Sequence, residues 1–176
     1  MQAPRNKLTD FQKRDCKKIE SKIELCESII STFADRYLTQ FETDPAASRG
    51  GRRTITMVSF YMTGLSERIG YIEDVKTTAS GLYESTNEAL FFDMKQEANR
   101  LIGKYSRKLD EYETKKDYFE DIEKKAFENL KDKTKPNEEK AKLDEICYTD
   151  DGDCKNLYSL LSQIKKKFSG FLKPAW

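Results

Sequence analysis

The sequence predicts an all-α fold: an antiparallel bundle of about five helices, three long and two short, stapled by disulfides. Three observations predict it. Apolar residues recur three and four positions apart along most of the 176-residue chain, the period of one helix face. Strong breakers gather at a few places, led by Pro45, Gly50-Gly51 and Pro136. The four cysteines fall in two pairs near opposite ends, at Cys16 and Cys26 and at Cys147 and Cys154. The length suits a single domain over 1–176. Hydrophobic residues make up 37% and charged residues 36%, so each apolar stripe must be narrow, which fits a bundle better than a sphere.

The first helix is expected over about 11–41, with Thr9 or Asp10 as its cap. Its stripe reads Cys16, Ile19, Ile23, Cys26, Ile30, Phe33 and Tyr37, with Lys, Glu, Asp and Ser between. Residues 42–53 form the clearest loop. Arg49, Arg52 and Arg53 make it basic, suited to a sulfated glycan, a phosphate or an acidic protein surface, or simply to a solvated connection.

The second helix is expected from about Thr54 to Thr78. Its stripe is read as Ile55, Val58, Met62, Leu65, Ile69 and Ile72, continuing toward Lys76 with Val75 beside it. A turn around Gly81 ends it. Ser85-Thr86-Asn87-Glu88 then has the capping-box pattern, a hydroxyl followed three residues later by Glu. The third helix carries Phe91, Met94, Ala98, Leu101, Tyr105, Leu109 and Tyr112, and the rhythm resumes at Phe119, Ile122, Ala126 and Leu130. The stripe skips a step over 113–117, where a kink is expected. The alternative is that 104–133 projects as a charged helical extension, held by i,i+4 pairs such as Asp121 with Lys125. Pro136 opens a short fourth helix, about 137–147.

Asp150, Asp151, Gly152 and Asp153 invite a calcium reading. An EF-hand loop needs a Glu at its twelfth position, and Leu160 and Leu161 lie there instead. A turn with Asp153 as N-cap of the last helix is the expectation. That helix carries Leu157, Leu160, Leu161, Ile164 and Phe168. It ends in Lys165, Lys166 and Lys167, which complement the helix dipole and are candidate partner contacts. The tail, with Phe171, Leu172 and Trp176, is expected to dock on the bundle, with contact to a membrane surface as the other reading.

Composition also excludes chemistries. There is no histidine, so no Ser-His-Asp or Cys-His nucleophile and no imidazole metal site. No catalytic constellation is visible, and neither an enzyme nor a cofactor is expected. The 32 basic and 31 acidic residues give a net charge of +1, which lacks the basic surplus of a general nucleic-acid binder. No apolar run is long enough to span a membrane. Met1-Gln2-Ala3-Pro4 reads as a mature N-terminus behind an initiator Met, the secretory signal removed, with an ordinary cytosolic start as the alternative.

The cysteines carry the strongest constraint. Cys16 and Cys26 are ten residues apart on one helix, about 15 Å. Disulfide Cα atoms must come within about 7 Å. Cys16 and Cys26 are therefore each expected to pair with one of Cys147 and Cys154, the connectivity staying open. Four reduced cysteines in a cytosolic core are the alternative.

Gln2-Ala3-Pro4, the Lys/Glu-rich helical pattern and the cysteines at 16, 26, 147 and 154 together resemble, in style, the small secreted salivary proteins of mosquitoes and related blood-feeding insects. That resemblance implies a non-enzymatic effector that binds host proteins or cell-surface receptors in haemostasis, complement or leukocyte responses. It implies no particular target and no functional residue. Two other classes stay open: an intracellular helical adaptor, and a carrier of an apolar ligand among Phe60, Tyr61, Phe91 and Phe92.

Overall fold

A computed structural model describes residues 7–43, 57–131, 134, 136, 138–139, 141–142 and 152–168. The described residues are helical and contain no strand. The helices are α1 (Asp10–Thr43), α2 (Met57–Thr86), α3 (Ala89–Thr114), α4 (Lys116–Lys131) and α5 (Lys155–Lys167). Residues 138, 139, 141 and 142 are also helical, and the rest of the expected short helix over 137–147 lies outside the described residues. Among the described residues no helix is long and apolar enough to cross a membrane.

The chain divides into two compact units. The first comprises α1 up to Glu27, α2 from Arg68, α3 up to Lys104, and α5. The second comprises the rest of α1, α2 up to Glu67, α3 from Tyr105, and α4.

The first unit starts at a cap. Thr9 Oγ1 accepts from the Gln12 N–H at 3.2 Å, and Gln12 Oε1 accepts from the Thr9 N–H at 2.9 Å. This is a reciprocal capping box, and it identifies Thr9 rather than Asp10 as the cap. Beyond it Cys16, Ile19, Ile23 and Cys26 are all buried, as the spacing requires. The stripe residues Ile30, Phe33 and Tyr37 lie outside the described side chains.

Contacts give the helix directions in this unit. Along α1 and α2, Gln12 meets Ser85, Lys22 meets Asp74, and the Cys26 carbonyl meets Arg68. One number rises while the other falls, so the two helices are antiparallel. Along α3 and α5, Glu88 meets Lys167, Phe91 stacks near Phe168 and Glu97 meets Asn156, which is also antiparallel. Lys165 pairs with Glu20, joining α5 to α1. The interior holds Val75, Ala79, Leu82, Met94, Ala98, Leu101, Leu157, Leu161 and Ile164, each at most 2% exposed. Complete burial of one such aliphatic side chain contributes about 1.5–3 kcal/mol for the larger ones.

Two expectations about α2 are corrected. Its end lies at Thr86, eight residues past Thr78. Ala79 and Leu82 continue the buried stripe from Ile72 and Val75 in steps of 3 and 4, so burial carries the helix through Gly81. The turn sits instead at Asn87, whose φ is +56°. Its N–H donates to the Tyr83 carbonyl at 2.7 Å, the left-handed cap with Asn in the place usually taken by Gly. The hydroxyls of Ser85 and Thr86 both donate back to the Leu82 carbonyl, at 3.2 and 2.6 Å. They serve the end of α2, Thr86 Oγ1 also accepts from the Glu88 N–H at 3.2 Å, and the expected box between Ser85 and Glu88 does not form.

The second correction is one of face. The buried line along α2 is Tyr61, Leu65, Arg68, Ile72, Val75, Ala79 and Leu82. Met62 and Ile69, expected on the stripe, are only half-buried. A charged residue holds the position that the apolar pattern assigned to its neighbour.

The second unit has an aromatic core. Tyr61 meets Tyr112 edge-on with ring centroids 5.0 Å apart, and Tyr112 meets Phe119 at 5.4 Å. Leu65, Tyr105, Ile122 and Ala126 are buried with them. The expected kink over 113–117 is present as a break at Lys115 between α3 and α4. The Thr114 hydroxyl donates to the Asp110 carbonyl at 2.8 Å, a back-bond that bends helices. The ladder continues across the break, from the Lys115 N–H to Glu111 at 2.9 Å and from the Phe119 N–H to Lys115 at 3.0 Å. The expected pair Asp121–Lys125 forms at 3.0 Å.

Candidate functional site

The most concentrated polar chemistry lies inside the first unit, where the turn before α5 meets α1, α2 and α3. Asp153 is the hub, only 6% exposed. One carboxylate oxygen pairs with Lys104 Nζ on α3 at 2.5 Å, and the other with Arg68 Nη1 on α2 at 3.5 Å. Arg68 Nε donates to the Cys26 carbonyl on α1 at 2.7 Å. A mid-helix carbonyl has a second lone pair to offer beyond its ladder bond. Four segments thus share one charged network, which answers the desolvation cost of a buried arginine.

Asp153 was the expected N-cap of α5. The correction is that Cys154 occupies that position and makes no side-chain cap bond. The carboxylate is instead drawn inward by the two cations. Among the described residues there is no group of three or more acidic or cysteine residues placed to hold a metal ion. Asp150 and Asp151 lie outside the described residues.

A second buried acid, Glu97, sits nearby in sequence on α3 at 9% exposure. Both its oxygens accept from Arg100 Nε, one of them at 3.0 Å. Asn156 Nδ2 of α5 approaches the same oxygens at 3.4 and 3.5 Å.

The cysteines stand next to the Asp153 hub. Cys16, Cys26 and Cys154 are buried thiols, and no disulfide joins them. The expected staple is therefore absent as a covalent bond for these three, and Cys147 lies outside the described residues. What is present instead is proximity: the Cys26 side chain acts on the Cys154 thiol as a hydrogen-bond partner, with no sulfur–sulfur bond between them. Both side chains are 0% exposed. The Cys154 thiol is pushed up by the Cys26 hydrogen bond first and by burial second, with Arg68 opposing. Burial, and then the charge of Asp15, push Cys16 up to about 12. The Cys16 and Cys154 thiols are held protonated and out of reach, the reverse of a reactive cysteine.

The candidate partner contacts fare differently. Arg49, Arg52 and Arg53 lie outside the described residues. Lys165 pairs with Glu20 and Lys167 with Glu88, so two cations of the basic run are used within the unit. Lys166 points outward and is exposed. Among the aromatics suggested for an apolar ligand, Tyr61 and Phe91 are core residues and Phe92 is 38% exposed.

Sequence reasoning missed Arg68, Lys104 and the role of Asp153. One signal was readable: Arg68 falls at a stripe position, three past Leu65 and four before Ile72. Comparisons with protein families, with characterised proteins and with solved structures give no match for this chain.

Proposed function

We propose that the protein is a secreted, non-enzymatic effector that binds host proteins or cell-surface receptors through its charged exterior. The observation that carries this reading is how the buried ionic groups are spent. Asp153 is tied to Arg68 and Lys104, and Glu97 to Arg100, so these acids serve the fold. With no histidine in the chain, recognition falls to the outer surface, where acidic and basic residues alternate. Arg49, Arg52, Arg53 and Lys166 are the candidate contacts. The meeting of Cys26 and Cys154 supports the secreted part, because a pair so far apart in sequence suits a disulfide framework of an oxidising compartment.

The test is saturable binding of the labelled full chain to vertebrate leukocytes and platelets. The triple variant Arg49→Ala, Arg52→Ala, Arg53→Ala is expected to bind at least about tenfold more weakly while unfolding at the same temperature, since each tenfold corresponds to about 1.4 kcal/mol. Saturable binding that ignores the three substitutions discards the loop as the contact. Absence of saturable binding discards the reading.

One observation favours a second reading. Three cysteines stand as thiols, as in an intracellular helical adaptor. Counting free thiols on protein taken from its natural source separates the two: four thiols support the adaptor.

A further inference from the structure

We infer that Cys26 and Cys154 close into one intramolecular disulfide while the chain folds under oxidising conditions, and that the finished fold then seals the bond against exchange. The inference deepens the proposed secreted function and rests on it only for the oxidant. The pairing itself rests on geometry. The two residues are 128 positions apart (154 minus 26), yet both are fully buried in the same unit, where the Cys26 side chain is a hydrogen-bond partner of the Cys154 thiol.

A second set of bonds, independent of sulfur, holds them there. Arg68 grips the backbone carbonyl of Cys26 at 2.7 Å and the side chain of Asp153, the residue before Cys154, at 3.5 Å. Lys104 holds the other Asp153 oxygen at 2.5 Å. One guanidinium therefore docks the turn before α5 onto α1 at the level of Cys26. Cys16 does not compete for Cys154 in this arrangement, because it lies ten residues back along α1, about 15 Å away.

The sealing follows from burial. With both sulfurs at 0% exposure, neither an oxidant nor a reductant reaches them in the native state. Exchange also needs a thiolate, and burial disfavours one. The bond must form before the core closes. The oxidant is a small disulfide such as oxidised glutathione. One cysteine thiolate attacks a sulfur of that disulfide and releases one glutathione thiol. The second cysteine sulfur then displaces the other. The glutathione S–S bond breaks, the protein S–S bond forms, and the two protons and two electrons end on two glutathione thiols.

The experiment uses the full chain, unfolded and reduced, then refolded either in a glutathione redox buffer or with reductant. After alkylation, digestion with trypsin and chymotrypsin together separates all four cysteines, because cleavage after Tyr148 parts Cys147 from Cys154. The expected result is a fragment containing Cys26 linked to one containing Cys154. Reduction of that link by dithiothreitol is expected to be at least about tenfold slower in the native protein than in denaturant. The double variant Cys16→Ser, Cys147→Ser, which retains only Cys26 and Cys154, is expected to refold with no free thiol. Alkylated Cys26 or Cys154 after oxidative refolding, or either joined to another cysteine, overturns the pairing. Equal reduction rates overturn the sealing. Correct linkage without cell binding would leave this inference standing and remove the proposed function, and cell binding without the linkage would do the reverse.

Discussion

Arg68 and Asp153 form an ion pair with only 3% and 4% of their side chains exposed, 85 positions apart in sequence. Removing one partner of such a pair costs more than the pair is worth, because the other charge stays buried. Arg68→Met is expected to destabilise the protein by about 3–5 kcal/mol. Lys104 limits the loss, since it still faces Asp153, but its side chain is 36% exposed and it is a weaker partner. The double variant Arg68→Met, Asp153→Leu should recover part of the loss, with both charges gone and Lys104 free to turn to water. Urea unfolding of the three proteins gives the values. A single-variant cost under about 0.5 kcal/mol would mean that the pair is not formed in solution.

The corrected end of α2 is open to a simple check. Gly81 is an exposed mid-helix residue, and a Cβ built on it meets nothing within 4 Å. Gly81→Ala should therefore stabilise by about 0.5–1 kcal/mol. At Asn87, with φ +56°, the same change to Ala should destabilise by about 1 kcal/mol, while Asn87→Gly should be close to neutral. Thermal unfolding of the three variants decides the point. Opposite signs at 81 and 87 from those expected would return the turn to Gly81.

The cap of α1 gives a smaller effect with a firm sign. Thr9→Ala removes an acceptor from the Gln12 N–H and unlocks the reciprocal bond from Gln12. A loss of about 1 kcal/mol is expected, against a few tenths for Thr9→Gly. Asp10→Ala should cost less than Thr9→Ala, since Asp10 lies inside the helix as its first residue. Denaturant midpoints that rank the two the other way would reassign the cap.

How much of this was legible in the sequence follows from which residues carry period. On α1, α3, α4 and α5 the apolar positions are uninterrupted. Cys16, Ile19, Ile23 and Cys26, then Phe91, Met94, Ala98, Leu101, Tyr105 and Tyr112, and Leu157, Leu161, Ile164 and Phe168 were accordingly read on the face where they lie, while Leu109 and Leu160 are only half-buried. Even the break at Lys115 showed itself as a missed step. On α2 the face is interrupted by a buried cation, and a pattern that counts apolar residues slides onto Ile69 next door. Gly81 misled for a related reason: glycine signals a turn only when no burial runs through it, and Ala79 and Leu82 run burial through it. The site needed three dimensions. Arg68, Lys104 and Asp153 are ordinary surface residue types in the sequence, and only the packing of four segments makes them a cluster.

The proposed disulfide has a thermodynamic consequence beyond its mapping. A link from Cys26 to Cys154 closes a loop of more than 100 residues, nominally worth about 4–5 kcal/mol in the chain-entropy model. For a chain of this size that corresponds to a melting temperature roughly 10 °C higher in the oxidised than in the reduced protein. Differential scanning calorimetry of both forms measures it. Equal melting temperatures, with the link verified by mass spectrometry, would show that the native contact is strained by bonding.

Cys16 makes a prediction in pH. Its ordinary value is 9.0, and burial followed by the Asp15 charge raises it to about 12 in the fold. Between those values the unfolded chain loses the proton while the native protein keeps it. The unfolded state binds fewer protons there, so stability falls as pH rises, by about 1.4 kcal/mol per unit from this group alone. Below the unfolded value both states are protonated, and Cys16 contributes no slope. Chemical unfolding of the reduced protein at successive pH values from 8 to 11, on the order of three units, should show this decline. Lysine and tyrosine titrate in the same range, so the quantity to compare is the difference from Cys16→Ala, which lacks the thiol and should lose stability less steeply. Parallel curves for the two proteins would place Cys16 outside the buried stripe of α1. A sample in which Cys16 is oxidised has no proton to lose, and its curve should match that of the variant in slope.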